Sequence, residues 1–427
     1  MRIDCLKTLG SGLTLVYDDV PSVGTTALAF FVAVGSRDES PEDFGSAHLL
    51  EHLLFKGAGD WDYRAIAREM DHLGADVNAF TTRDYTCFYA RVLDASAPRA
   101  YRLLATLVTR PWISASDLMR EKSVVVEEIR ESQDDADDVL DRLLTEASYQ
   151  DPQYTHDILG TIKTLQGIHS DSLAAFFNRF YRPSNMVFAV SGGACDAVLQ
   201  LVSLDFSKGA ADSQLPHQRS QPHWRATERT LSTPWEQVHW GMAVPAPARY
   251  DSGYAAALVT ASILAGQNSS RLWQRLREEE GLVYTVSAQY GPEEAFGDLS
   301  VYLSLGQGNM DRAARALWDE LNQLIDKGPN GDELERTRAS LYTMLVMGQE
   351  TPDQRVMRLG RAGLDRRLAP DLATLKSQLE EVGSEAVRQC AQKFRMPGEL
   401  ATALAGPLRK PEDAIRHLVR GRSIKHV

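Results

Sequence analysis

The sequence predicts an α+β protein built from two related halves. Short apolar runs bounded by turn residues indicate strands, and amphipathic segments between them indicate helices, along all 427 residues. The second observation is a weak internal repeat, in which residues 251–260 align with residues 43–52. The composition is ordinary for a globular protein, and the length allows two or three domains with sizeable cores.

The first half opens with two predicted strands, at residues 13–17 and 27–34, where apolar runs are bounded by turn residues. A helix that carries the main motif follows. Residues 63–73 then have the periodicity of an amphipathic helix, and the alternation over residues 76–89 predicts a pair of strands. These elements form one α/β half of the chain.

Residues 209–228 are rich in Ser, Gln, His and Pro and lack apolar periodicity, which predicts a linker. We therefore divide the chain into a first domain, residues 1–208, the linker, and a second domain, residues 229–427. In the second domain, helices are predicted at residues 311–325 and from Glu333 onward. The basic tail after Pro411 is interpreted as a frayed end.

His48, Glu51 and His52 form the pattern His-x-x-Glu-His in an apolar, leucine-rich helix. Spacings of three and four residues place all three side chains on one helix face. Two imidazoles one turn apart can bind Zn²⁺, and a carboxylate beside them can activate water. A single His on an apolar helix is usually an ordinary core or surface residue, so the metal interpretation depends on the whole pattern.

A catalytic zinc site needs a third protein ligand. Glu121 and Glu128 are two helical turns apart on one face of a predicted helix, whereas Glu127 points elsewhere. An acidic helix alone is normally a solvated surface. Together with His48 and His52, it becomes the best source of the third ligand.

These motifs resemble those of the inverted-motif zinc metallopeptidases, which include insulin-degrading enzyme, pitrilysin and the mitochondrial processing peptidases. The sequence is most similar to their short, two-domain bacterial processing-peptidase branch, over most of its length. The resemblance implies two homologous α/β-sandwich domains, each a mostly antiparallel sheet covered by helices, of which only the first is catalytic. It implies that His48, His52 and Glu128 bind Zn²⁺, that Glu51 is the general base, and that Glu121 supports the site.

In the second half the aligned motif positions are Ala256, Val259 and Thr260, so the metal-binding residues are absent there. Arg277 and Tyr284 match the family's pair that binds substrate and stabilises the oxyanion. Without the resemblance, a surface Arg and a core Tyr would be the ordinary interpretation.

Asn78, Ala79, Phe80 and Thr81 match the family's substrate-binding edge strand. An exposed strand edge can pair with an extended peptide through main-chain hydrogen bonds. The alternative is an ordinary β-hairpin with no binding role.

The net charge of −12 argues against nucleic-acid binding, which needs clustered basic residues. The sequence contains no apolar run of signal-peptide or membrane-spanning length. Its four cysteines have no metal-site spacing and are expected to be reduced. We therefore expect a cytoplasmic protein with no membrane or nucleic-acid partner.

The sequence predicts a zinc metalloendopeptidase that cleaves short or unfolded peptides. The resemblance implies a chamber closed by a homodimer or a heterodimer, in which Arg277 and Tyr284 serve the zinc site of the partner. One alternative is a non-catalytic or partner-dependent peptide-binding subunit of a heterodimeric processing peptidase. Another is a zinc-dependent hydrolase of small molecules.

Overall fold

The structure is a computed structural model that describes residues 5–74, 76–207 and 219–408. The chain folds into two compact units. Unit 1 takes its described residues from Met1–Arg130, Pro152–Ser220 and Val346–Pro370. Unit 2 takes its described residues from Glu131–Asp151, Gln221–Leu345 and Asp371–Val427.

The first eight strands belong to unit 1. They are β1 Cys5–Thr8, β2 Thr14–Asp19, β3 Thr25–Val32, β4 Gly57–Ala58, β5 Trp61–Asp62, β6 Asp76–Thr81, β7 Thr86–Leu93 and β8 Met186–Gly192. Strands β4 and β5 form a small ribbon, and the others form a six-stranded sheet in the order β1-β2-β8-β3-β7-β6. The pair β2 and β8 is parallel, and the remaining neighbours in this sheet are antiparallel.

Nine helices are described between residues 46 and 206. They are α1 Ser46–Leu54, α2 Tyr63–Leu73, α3 Ala97–Thr109, α4 Ala115–Asp134, α5 Ala136–Ser148, α6 Pro152–Thr155, α7 Ile162–Gly167, α8 Ser170–Phe180 and α9 Cys195–Phe206. Helix α2 has the predicted bounds, and it ends at Gly74, whose φ of 58° suits a residue without a side chain.

The second sheet lies in unit 2. Its strands are β9 Glu228–Ser232, β10 Gln237–Ala246, β11 Val283–Pro292, β12 Gly297–Gly306 and β13 Ala401–Gly406. The described helices that follow β10 are α10 Tyr254–Ala265, α11 Met310–Lys327, α12 Gly331–Met347, α13 Pro352–Leu364, α14 Leu372–Glu381 and α15 Ser384–Gln392. A π-helical segment, Trp273–Glu279, precedes β11.

The two sheets repeat one topology. The order β2-β8-β3-β7-β6 in unit 1 corresponds to β9-β13-β10-β12-β11 in unit 2. In both sheets the first and last of these strands along the chain form the parallel pair. The predicted fold class, two related and mostly antiparallel sheets covered by helices, is therefore confirmed.

Each sheet is packed on both faces, which explains the continuous apolar sequence of its central strand. In β3, residues 26–32 are all buried. Leu28, Phe30 and Val32 lie in the main core of unit 1, whereas Ala27 and Phe31 face α13 on the opposite side. Alternation along a strand thus fills two hydrophobic cores.

The helices on these second faces come from the other half of the sequence. Helix α5 lies in unit 2, where Val139, Leu140 and Leu143 pack against Ala403 and Ala405 of β13. Helix α13, from the second half, covers the corresponding face in unit 1. The compact units therefore differ from the contiguous domains 1–208 and 229–427, which stay a prediction about the two homologous sequence halves.

Part of the predicted linker is well anchored. Arg219 donates hydrogen bonds to Asp38 and to the carbonyl oxygen of Ala33 in unit 1, and Trp224 donates to the carbonyl oxygen of Glu399 in unit 2. Residues 209–218 of the linker, with His217, and the tail after Pro411 lie outside the described residues. Among the described helices, none combines the length and apolar character needed to span a bilayer.

Helix α13 approaches its sheet closely through Gly360, where a Cβ atom would lie 2.0 Å from the ring of Phe31. We expect Gly360→Ala to lower the free energy of unfolding by about 1–3 kcal/mol, because the buried ring cannot move away. Denaturant unfolding measures this change. Gly167→Ala is the control, since a Cβ there meets nothing within 4 Å. Equal stabilities of the two variants would contradict the close packing of α13.

Candidate metal centre

Helix α1 presents the motif residues because its other side is fixed in the core. Leu49, Leu50, Leu53 and Leu54 are fully buried. His48, Glu51 and His52 remain half-buried on the opposite side of the helix. The leucines thereby determine which way the polar face points.

Helix α4 brings a carboxylate to this face. The Nε2 atom of His48 lies 3.8 Å from Oε2 of Glu128, and the Nε2 atom of His52 lies 3.6 Å from its Oε1. One ligand atom from each of these three residues lies within 4.8 Å of the other two. The structure thus brings together the three predicted metal ligands.

The cluster fits a zinc ion better than a set of direct hydrogen bonds. The nitrogen–oxygen distances exceed hydrogen-bonding range. Donor atoms about 2.0–2.1 Å from a tetrahedral zinc ion lie about 3.3–3.5 Å apart, close to the separations seen here. Two imidazoles and one carboxylate are also a donor set that zinc binds in catalytic sites.

The protonation of His48 suits metal binding. Burial lowers the pKa of His48 to about 3, and the nearby His52 adds to this effect. The imidazole is therefore neutral at pH 7, which is the form that coordinates a metal.

Glu121 lies behind His52, on the side away from Glu128. Its buried carboxylate places Oε2 3.2 Å from Nδ1 of His52, and Oε1 is 3.0 Å from Nζ of Lys56. A carboxylate on Nδ1 orients the ring and leaves Nε2 available to a metal. Lys56 compensates part of the negative charge of Glu121.

Glu51 is held by a residue of the sheet. The hydroxyl group of Thr81 donates a hydrogen bond of 2.6 Å to Oε2 of Glu51. Burial raises the pKa of Glu51, although the bond from Thr81 and the nearby His52 oppose this effect. A carboxylate with a raised pKa is suited to accept a proton and release it again.

The four residues predicted to bind substrate lie on β6, the last strand in the sheet order, which pairs only with β7 in that order. Ala79 and Thr81 face the side of α1, where Ala79 packs against the main core. Phe80 points to the opposite face, with its ring 5.9 Å from that of Tyr85. Asn78 lies on the same face as Phe80 by alternation, and its Oδ1 accepts a bond from the Ala79 N–H.

Arg277 and Tyr284 belong to unit 2, whereas His48, His52 and Glu128 belong to unit 1. The guanidinium group of Arg277 lies 5.1 Å from the ring centre of Trp273, within cation–π range. Tyr284 lies on β11 with 58% of its surface exposed. Their predicted role at a zinc site stays a prediction.

Two contacts at the cluster were not anticipated from the sequence. The hydroxyl group of Thr81 contacts Glu51, and the predicted role of Thr81 in substrate binding stays a prediction. Lys56, two residues beyond the end of α1, pairs with Glu121, and its spacing of four residues from His52 is the sequence signal for this contact.

Comparison with known proteins agrees with the family resemblance of the sequence motifs. Residues 14–162 match the family described as Insulinase (Peptidase family M16), and residues 167–341 match the Peptidase M16 inactive domain. An uncharacterized zinc protease of Bacillus subtilis, YmxG, is 31% identical over 94% of this chain and 97% of its own length. An uncharacterized zinc protease of Streptomyces coelicolor is 30% identical over 96% of this chain and 91% of its own length.

Solved structures share the fold. A peptidase M16 inactive domain from Pseudomonas fluorescens superposes with a TM-score of 0.85 at 24% identity, covering 96% of this chain and 100% of that structure. A protease from Helicobacter pylori gives a TM-score of 0.86 at 17% identity, covering 95% of this chain and 100% of that structure.

Glu121 is expected to strengthen metal binding through His52. Glu121→Gln should weaken zinc affinity about 10–100-fold, because the amide is a poorer acceptor for the Nδ1 proton. Competition with a chelator measures this affinity. Glu127→Gln on the same helix is the control, since Glu127 is exposed and pairs with Arg130. Similar affinities for both variants would show that Glu121 does not support the metal site.

Proposed function

The chain belongs to the M16, or insulinase, family of peptidases, and from this premise we propose that it is a zinc-dependent metalloendopeptidase. The observation that carries the proposal is the cluster of His48, His52 and Glu128 with Glu51 on the same helix face. The names of the Bacillus and Streptomyces relatives support zinc and proteolysis as the chemistry. We propose short or unfolded peptides as the substrates.

His48, His52 and Glu128 would hold the zinc ion, which supplies Lewis acidity toward water and a peptide carbonyl group when bound. Glu51 accepts the proton of the attacking water and returns it to the leaving amine. The Thr81 hydroxyl fixes the orientation of the Glu51 carboxylate during both transfers. Burial contributes by raising the pKa of Glu51, so that one group can act as base and then as acid.

We propose that the substrate pairs with β6. An added strand at this edge would run beside Ala79 and Thr81, and Thr81 already contacts Glu51. The scissile bond would thereby be brought near the proton acceptor. The side chain of Phe80, packed with Tyr85, would stiffen the strand that receives the peptide.

Removing the general base tests the reaction. We expect the Glu51→Gln variant to cleave an unfolded peptide library on the order of 10²–10⁴-fold more slowly than the wild type, because the amide cannot accept the proton of water. Mass spectrometry of zinc-loaded wild type and variant measures the products. Zinc content should be equal in both, since Glu51 is not a ligand.

Glu42→Gln, an exposed glutamate before α1, is the control and should retain full activity. A wild-type protein that binds zinc and peptide but does not cut would contradict the proposal. That result would favour the alternative of a non-catalytic or partner-dependent subunit of a heterodimeric processing peptidase. Cleavage of small esters but of no peptide would favour the small-molecule hydrolase.

We propose further that two chains form the closed chamber, as a homodimer or with a homologous subunit. In that arrangement Arg277 and Tyr284 would stabilise the oxyanion at the zinc site of the partner. The exposed phenol of Tyr284 and the guanidinium group of Arg277, held over Trp273, support this as available hydrogen-bond donors. The cytoplasmic location stays a prediction from the sequence.

Mixing inactive chains tests the shared site. Dimers of Glu51→Gln chains with Arg277→Ala/Tyr284→Phe chains should recover activity, because one zinc site per mixed dimer is complete. Random mixing should give about a quarter of wild-type activity, since half the dimers are mixed and half their sites are complete. Arg275→Ala, a neighbouring arginine paired with Glu279, is the control for surface charge. Mixed dimers without activity would exclude the exchange between chains.

A further inference from the structure

A buried carboxylate lies at the N-terminal end of α1. Oε2 of Glu39 accepts a hydrogen bond of 2.8 Å from the N–H of Gly45, and Oε1 accepts one of 2.6 Å from the N–H of Ala47. The side chain of Glu39 has no exposed surface. The first N–H groups of a helix have no carbonyl partner within the helix, so Glu39 replaces the missing cap. Its negative charge is also favourable at the positive end of the helix.

His156 completes this arrangement from a distant part of the sequence. Its Nε2 lies 3.1 Å from Oε2 of Glu39, and its Nδ1 lies 3.0 Å from the carbonyl oxygen of Pro152. Both ring nitrogens of His156 are thus within hydrogen-bonding distance of an oxygen atom, one from Glu39 and one from Pro152. The ring also stacks on Phe44, with 3.6 Å between ring centres.

The segment that carries His156 is fitted tightly against the start of α1. A Cβ atom on Gly45 would lie 2.7 Å from the carbonyl oxygen of Leu159, and one on Gly160 would lie 2.3 Å from that of Phe44. The guanidinium group of Arg37 lies 5.6 Å from the ring centre of Tyr154, which belongs to the same segment. The segment therefore packs directly against the first turn of α1.

The two histidines of the cluster are held differently. His52 has Glu121 on its Nδ1, whereas the buried Nδ1 of His48 has no hydrogen-bond partner among the described residues. No carboxylate behind the ring therefore orients His48. His48 is the third residue of α1, so its direction depends on the backbone of the first turn, which Glu39 fixes.

We propose that Glu39 and His156 are positioning residues for the zinc site, acting on His48 through the first turn of α1. Glu39 fixes the turn, and His156 holds the buried carboxylate of Glu39 in place. The inference rests on the proposed function only in that His48 and His52 are the zinc ligands.

Metal binding by the full-length protein tests the inference without any substrate. Glu39→Gln and His156→Ala should each weaken zinc affinity about 10–100-fold in chelator competition, as loss of an outer partner does. The visible absorption spectrum of the Co²⁺-loaded protein should change in band position or intensity, because the coordination geometry at His48 changes. His156→Arg, which supplies several hydrogen-bond donors toward Glu39, should recover part of the affinity that His156→Ala loses.

Two variants control for indirect effects. Glu42→Gln removes an exposed carboxylate from the same loop. His72→Ala removes an exposed imidazole at the end of α2. Its Nδ1 lies 2.7 Å from the carbonyl oxygen of Arg68, four residues earlier, which is the same local contact that His156 makes. Both controls should bind zinc and Co²⁺ like the wild type.

The thermal unfolding temperature of the metal-free proteins distinguishes a residue that positions His48 from one that only stabilises the fold. Variants that unfold at lower temperature but keep wild-type zinc affinity and Co²⁺ spectrum would overturn the inference. If Glu39→Gln does not fold, the comparison of His156→Ala with His156→Arg decides in the same way. A wild-type protein that binds neither metal would instead refute the proposed zinc function, which is a different outcome.

Discussion

An isolated helix of nine residues is unstable in water. The candidate site therefore depends on the tertiary contacts that hold α1 in place. Its leucines are buried in the core, which fixes the rotation of the helix about its axis. Glu39 holds its first turn, Thr81 holds Glu51 in the middle, and Glu121 holds His52 near the end. Each polar contact comes from a different element, so the geometry of the cluster is a property of the whole of unit 1.

Gathering acidic and imidazole groups on a half-buried surface is electrostatically costly, and the structure compensates this cost locally. Lys56 pairs with Glu121, and His156 pairs with Glu39. Glu128 is left between two imidazoles that do not donate hydrogen bonds to it. A divalent cation could accept electron pairs from all three side chains, and this donor set is one that zinc binds.

Much of this could be predicted from the sequence because helical spacing is a local property. The spacing of His48 and His52, and of Glu121 and Glu128, places each pair on one face without knowledge of the fold. The contact of Glu39 with His156 spans 117 residues and could not be predicted, since it depends on how the chain returns to α1. The contact of Thr81 with Glu51 could not be predicted either. The alternation along β6 predicts which face Thr81 lies on, but not which residue it contacts there.

The exchange of α5 and α13 bears on whether either half of the sequence can fold alone. The two helices hold equivalent places in the repeated topology, α5 after α4 and α13 after α12, yet each covers the sheet of the other half. One half of the sequence alone would leave one apolar face of its sheet exposed to water. The two halves exchange equivalent helices, as two subunits do in a domain-swapped dimer, so each half needs the other to complete its fold.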